Sequence, residues 1–380
     1  MKKQSYGSAH LNRRAAMRRL LGIGVVGAGA GVSMAFGDGE PETAELMPST
    51  VTFPEGAVIR TLLDDIDPNV LATGATMMHE HLSYDYQSPP AEPYYANTPP
   101  PPPPSNDVMV DMMVEELQMA HFDGVRCIVD SSVGPRTELQ LENLRAMAMR
   151  TDMQIVLGGS YFLERRYPED IIAASQEEIT ERMVAQSQRE RWGSLGEVGS
   201  SFPEMTKAER KMTAATAQVH KQTGLPIFTH VPHESCPSCA IDQLDIYDRE
   251  NVDMAHLAIG HQSTIRRSDD PTWETHKEIA SRGAFVAFDT VGHRMKTSFI
   301  PAREKIDMVL NMIEAGYEDH ILLSSDLANT AHIKTNWGNG FSTVVIQFVP
   351  KLRYFGVPDE TIQKILVDNP RRWLAYLPKT

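Results

Sequence analysis

The sequence predicts an α/β protein, a (β/α)8 TIM barrel with a small amino-terminal β-hairpin cap. Eight short apolar runs recur along the chain, and helical periodicity separates them. Several of these runs end in histidine or a carboxylate, and in barrels the chemistry gathers at the carboxyl ends of strands. No Gly-rich phosphate fingerprint follows the first run, which argues against an open doubly wound sheet.

The amino terminus stands apart from this pattern. Asn12-Arg13-Arg14 and Met17-Arg18-Arg19 precede Leu20–Phe36, an apolar stretch rich in Gly, Ala and Val, with small residues near Ala35–Gly37. Basic, apolar and small-residue regions in that order make a secretory signal, here residues 1–37, and twin arginines point to the twin-arginine export route. The expected location is therefore periplasmic or secreted. The apolar stretch, 17 residues long, is short against the ~20 of a spanning helix, so no membrane partner is expected after signal removal. Residues 38–56, polar and proline-containing, read as a linker to a single domain over 57–380.

Val58–Leu62 and Ala72–Thr73 are expected to form the hairpin cap. The strand cores follow at Ala75–Met78, Val125–Val129, Ile155–Leu157, Ser194–Val198, Pro226–Thr229, Ala255–Ile259, Ala284–Phe288 and Ile321–Leu323. Helical patterns fall at Asp111–Ala120, Leu139–Met149, Glu177–Arg189, Lys207–Lys221, Thr275–Ser281 and Glu304–Ala315. Gly224-Leu-Pro226 and Gly283 separate helix from strand, and Asn369-Pro370 reads as the cap of a last helix through Tyr376. Between the first strand and first helix, four tyrosines (Tyr84, Tyr86, Tyr94, Tyr95) and the run Pro99–Pro104 predict a stiff extended arm over the barrel mouth.

Composition bounds the function. The chain has 380 residues, 41% apolar and 23% charged, as an ordinary globular protein would, and its length suits two domains or one large α/β barrel. A net charge of −14 argues against nucleic acid as a partner. The expected partners are a small-molecule substrate and a second copy of the chain, as a homodimer. Cys127 reads as a core residue, whereas Cys236-Pro-Ser-Cys239 is a loop pair, either a local disulfide or two thiols.

The strand ends carry the chemistry. Two histidines at i and i+2 share a face of a strand, so His79 and His81 could hold one ion together, though such a pair also occurs by chance. Glu197 ends the fourth strand, His230 the fifth, His261 the sixth and Asp326 the eighth. Six such residues exceed what one tetrahedral zinc uses and suit two divalent ions sharing a carboxylate. Zinc is the first expectation, with manganese or cobalt as alternatives, because ligand type alone does not separate them. Asp326 could both hold an ion and accept the proton of an attacking hydroxide, which makes it the expected catalytic residue.

Gly74-Ala-Thr76 before His79-Glu-His81, Gly-Glu197-Val-Gly, Thr-Gly-Leu-Pro-Ile-Phe-Thr-His230, Ile-Gly-His261, Phe-Asp289-Thr-Val-Gly and Leu-Ser-Ser-Asp326 together resemble the phosphotriesterase family of the amidohydrolase superfamily. The resemblance runs from about Ala57 to Tyr376. It implies that His79, His81 and Asp326 hold a more buried ion, that His230 and His261 hold a more exposed one, and that position 197 bridges them. It also places Tyr161 before the metals, Asp289 near the leaving group, and His332 and Trp337 in the loop that shapes substrate choice. His233, His293 and Arg294 lie in neighbouring loops and read as solvated.

Two departures from the family's well-studied members matter. Glu197 stands where well-studied phosphotriesterases and lactonases carry a carboxylated lysine, and Thr264 and Thr290 stand where the His–Asp proton relay of the organophosphate-degrading members would be. The expectation is therefore a binuclear metal hydrolase in which a metal-bridged hydroxide attacks an ester or lactone, as a lactonase or esterase. Phosphotriester hydrolysis is the alternative, and a non-catalytic metal-binding receptor is the alternative from another class.

Overall fold

The computed structural model describes residues 49, 51–82, 105–292, 300–328 and 332–379. The expected signal, the proline arm, His293 and Arg294 lie outside the described residues. Among those described, no helix is long and apolar enough to cross a membrane.

A two-stranded antiparallel ribbon, β1 (Ile59–Arg60) with β2 (Asp65–Ile66), opens the fold. The second arm is thus Asp65–Ile66. Ala72–Thr73, expected there, closes a 3-10 helix over Pro68–Thr73, which Asp67 caps through the Asn69 amide. Eight parallel strands follow: β3 (Ala75–Glu80), β4 (Val125–Asp130), β5 (Gln154–Gly159), β6 (Trp192–Gly199), β7 (Ile227–His230), β8 (Leu257–Ile259), β9 (Phe285–Phe288) and β10 (Ile321–Leu323). Each pairs with the next in sequence order. Hydrogen bonds link the chain at the two end strands: the His79 amide donates to Ser324 Oγ at 3.0 Å, and the Asp326 amide donates to the His79 carbonyl at 3.1 Å.

The helices begin where local chemistry tells them to. Thr137 with Gln140, Ser175 with Glu178 and Thr206 with Glu209 form capping boxes that satisfy the free amides of a first turn. One helix, Pro237–Arg249, was not expected. Pro237 occupies its first turn, and Ala240, Leu244 and Tyr247 share its buried face. The Cys-x-x-Cys pair therefore starts a helix instead of lying in a loop, and its cysteines form a disulfide.

The carboxyl terminus is also corrected. Asn369 does not cap a helix, because helical backbone already runs from Asp359. A π turn over Lys364–Asp368 leads into Pro370, whose ring and missing N–H disfavour a regular α turn. Asn369 instead donates to the Glu318 and Ile321 carbonyls, both at 2.8 Å.

Strand alternation divides the core in two. Met78, Cys127, Val129, Val156, Phe228, Ala258, Ala287 and Leu322 fill the barrel interior together with Trp373 from below. Met77, Ile128, Leu157, Ile227, Ile259 and Leu323 face the helices. At the amino-terminal end of the domain, Phe53 packs on this core beneath the Arg371 guanidinium, 5.5 Å from its ring centre.

Candidate metal centre

Strict alternation would send His79 outward with Met77. A register shift between Met77 and Glu80 turns it instead towards the axis, where its ring meets Phe228 edge-on at 4.5 Å. Glu197 is aimed the same way by a shift between Leu195 and Val198. Position 196 must be glycine there: its φ is +152°, and a Cβ would lie 2.2 Å from the Phe228 carbonyl oxygen. His261 and Asp326 sit in left-handed backbone, with φ of 55° and 49°. Such strain persists only where the surroundings hold it, and it clusters at functional sites.

These irregularities bring all six expected ligands together. Glu197 Oε1 lies 2.6 Å from His79 Nε2 and 3.6 Å from His261 Nε2, and Oε2 lies 3.7 Å from His230 Nδ1. Asp326 Oδ1 lies 3.0 Å from His81 Nε2 and 3.5 Å from His79 Nε2. Glu197 thus sits between a buried set (His79, His81, Asp326) and an outer set (His230, His261). Burial alone would raise its pKa, but His79 and His230 beside it hold the carboxyl well below the ordinary range.

Asp289 shows what the ring is built for. One of its oxygens lies 3.0 Å from His79 Nδ1 and the other 3.0 Å from His261 Nδ1. A carboxylate there fixes the proton on Nδ1 of each ring, so both Nε2 lone pairs face the centre. His261 Nε2 also faces His230 Nδ1 at 2.8 Å. Inward lone pairs beside two carboxylates form a donor set that could hold divalent cations.

Asp289 itself is fully buried behind the two histidine rings. Tyr161 is also buried, with its ring edge-on to Tyr167, and burial raises its hydroxyl pKa. The neighbouring Phe162 is the residue that touches the ring, edge-on to His230 at 4.4 Å. His332 is half-buried in the eighth loop, and Trp337 is 97% exposed. Glu116 accepts from the Lys334 and Thr335 amides at 2.9 and 2.6 Å, fastening this part of the loop to the helix Asn106–Phe122, with Trp337 turned outward.

Three contributors were missed or misread. His233, expected in solvent, stacks on His261 with ring centres 4.4 Å apart. Burial beside two other imidazoles pushes it down to about 3, so it is neutral. Glu80 was passed over as the spacer between two histidines. Fully buried, it accepts from Ser324 Oγ, Ser325 N, Ser325 Oγ and Leu327 N at 2.8–2.9 Å and so holds the turn that presents Asp326. Asp130, which ends β4, accepts from the Leu82 amide at 2.9 Å and fixes the chain leaving His81. A strand-end carboxylate was the available signal for Asp130, but nothing local tells a ligand from a brace.

A ring of imidazoles and carboxylates at the carboxyl end of a parallel barrel defines the metal-dependent class of barrel hydrolases. The chain belongs to the phosphotriesterase family, whose model matches residues 58–374. Members of that family depend on a binuclear metal site. A phosphotriesterase-related protein of Nematostella vectensis is 28% identical over 344 residues, covering 80% of this chain and 95% of the relative. An N-acetyltaurine hydrolase of Xenopus tropicalis is 25% identical over 354 residues, covering 84% and 98%. The crystal structure of a resiniferatoxin-binding protein from Rhodobacter sphaeroides superposes with a TM-score of 0.72 at 28% identity, covering 84% of this chain and 95% of that one.

Proposed function

We propose that the protein is an exported binuclear metal hydrolase, with zinc as its native ion, that cleaves a carboxyl ester or lactone. The observation that carries this reading is the convergence of His79, His81, Glu197, His230, His261 and Asp326 on one centre, with Asp289 setting ring tautomers behind it. Two divalent ions held there would lower the pKa of a shared water towards ~7 and polarise the bond under attack. Asp326 accepts the proton of the attacking water. Glu197 holds the two halves of the site at fixed spacing.

Proton removal favours an acyl substrate over a phosphotriester. Thr264 donates its hydroxyl to the His261 carbonyl at 2.7 Å, and the Thr290 and Ser263 hydroxyls are 2.7 Å apart. The buried ammonium of Lys305 donates to Thr290 Oγ1 at 3.1 Å, so neither threonine stands in for an imidazole relay. The paired arginines before Leu20 support export. The relatives named N-acetyltaurine hydrolase favour an amide as the second reading, and the resiniferatoxin-binding neighbour favours a binding protein.

The test is metal analysis followed by turnover. Purified wild type is expected to hold two divalent ions, and Glu197→Ala to lose at least one. Metal-reconstituted enzyme is then offered lactones, aryl esters, N-acyl amides and phosphotriesters, with esters or lactones expected to give the highest kcat/KM. A single ion unchanged by the substitution would end the binuclear reading, and two ions with no turnover of any substrate would make this a binding protein.

A further inference from the structure

One imidazole beyond the six expected ligands converges on the centre. His233 follows His230 by three residues, on the turn that leaves β7. It stacks on His261 at an interplanar angle of 29° and meets the His230 ring edge-on at 5.4 Å. Ligand nitrogens of His230, His233 and His261 all lie within 4.8 Å of one another. Its Nδ1 is buried and has no hydrogen-bond partner among the described residues. Stacking accounts for where the ring lies but not for a buried lone pair left unused, and buried polar atoms are as a rule satisfied.

We propose that His233 is a third imidazole ligand of the more exposed ion, an inference that rests on the binuclear reading. The two ions then differ in kind. The buried one is held by His79, His81 and Asp326, and the exposed one by His230, His233 and His261, with Glu197 shared. Three neutral imidazoles neutralise none of the ion's charge, whereas Asp326 neutralises part of its neighbour's. With Glu197 common to both, the exposed position is therefore the stronger Lewis acid, and its nitrogen-rich set suits zinc better than manganese.

Full-length mature protein is loaded with Zn(II), or with Co(II) as a spectroscopic probe, and titrated with a chelator. Wild type, His233→Ala and His233→Phe are compared, the phenylalanine keeping a stacked ring without a ligand atom. Wild type is expected to release two ions in separate steps. Both variants should keep one ion at wild-type affinity and bind the other at least about 10- to 100-fold more weakly, the range lost when even an outer partner of a ligand is removed. The Co(II) absorption of that ion should also shift. Two ions at wild-type affinity with an unchanged Co(II) spectrum in His233→Phe would overturn the assignment and leave His233 a packing residue. A wild type that holds one ion overturns the binuclear reading, and this assignment with it.

Discussion

Asp289→Asn tests the logic of the metal centre most directly. The wild-type carboxylate accepts from His79 Nδ1 and His261 Nδ1, both at 3.0 Å, and from the His261 amide at 3.0 Å. Asparagine has the same shape but one acceptor, so its amide nitrogen must face one of the two rings as a donor. That ring then moves its proton to Nε2, where the lone pair for the ion should be. Removing an outer carboxylate partner costs about 10–100-fold in metal affinity, or ~1.4–2.8 kcal/mol. His79 and His261 belong to different halves of the site, so the ion served by the altered ring should weaken by this amount and the other by less. Chelator competition on the zinc-loaded protein reads the two affinities, and substrate titration reads KM. If both ions keep wild-type affinity and only KM changes, Asp289 meets substrate and its assignment as a brace is wrong.

Asp326→Asn should keep most of its metal, since the amide oxygen remains and asparagine tolerates the left-handed backbone at φ 49°, while kcat falls about 10²–10⁴-fold for want of a proton acceptor. Metal loss in step with activity would show that Asp326 acts only as a ligand. His276, fully buried with Nε2 donating to the Gln262 carbonyl at 3.0 Å, is pushed by burial down to about 4. Unfolded chain takes up that proton near 6.5, so the contribution to stability is complete above pH 6.5 and fades as pH falls towards 4, by at most ~3 kcal/mol. In denaturant titrations, the gap between wild type and His276→Gln should narrow across that window, and a pH-independent gap would contradict the burial argument. Arg18→Lys with Arg19→Lys should strand the precursor in the cytoplasm on fractionation, whereas export that survives when Arg13 and Arg14 are replaced as well would exclude the twin-arginine route.

What the sequence determined by itself was what local chemistry encodes. Eight apolar runs between helical patterns sufficed for the barrel, because alternation, capping boxes and Gly or Pro stops act over a few residues. Residue type at the strand ends was enough to single out His79, His81, Glu197, His230, His261 and Asp326, six side chains that the structure brings together. The direction in which they point was decided by tertiary structure. By alternation alone His79 would follow Met77 out to the helices, and only the register against β4 turns it inward. Asp289 and Asp130 are both strand-end carboxylates, yet one bonds two histidine rings and the other braces a turn, a difference set by partners far away in the chain. His233 reads as solvated until His261, from the next strand, is placed beneath its ring. Identity is a property of single residues, but aim and tautomer depend on neighbours that only the closed barrel brings together.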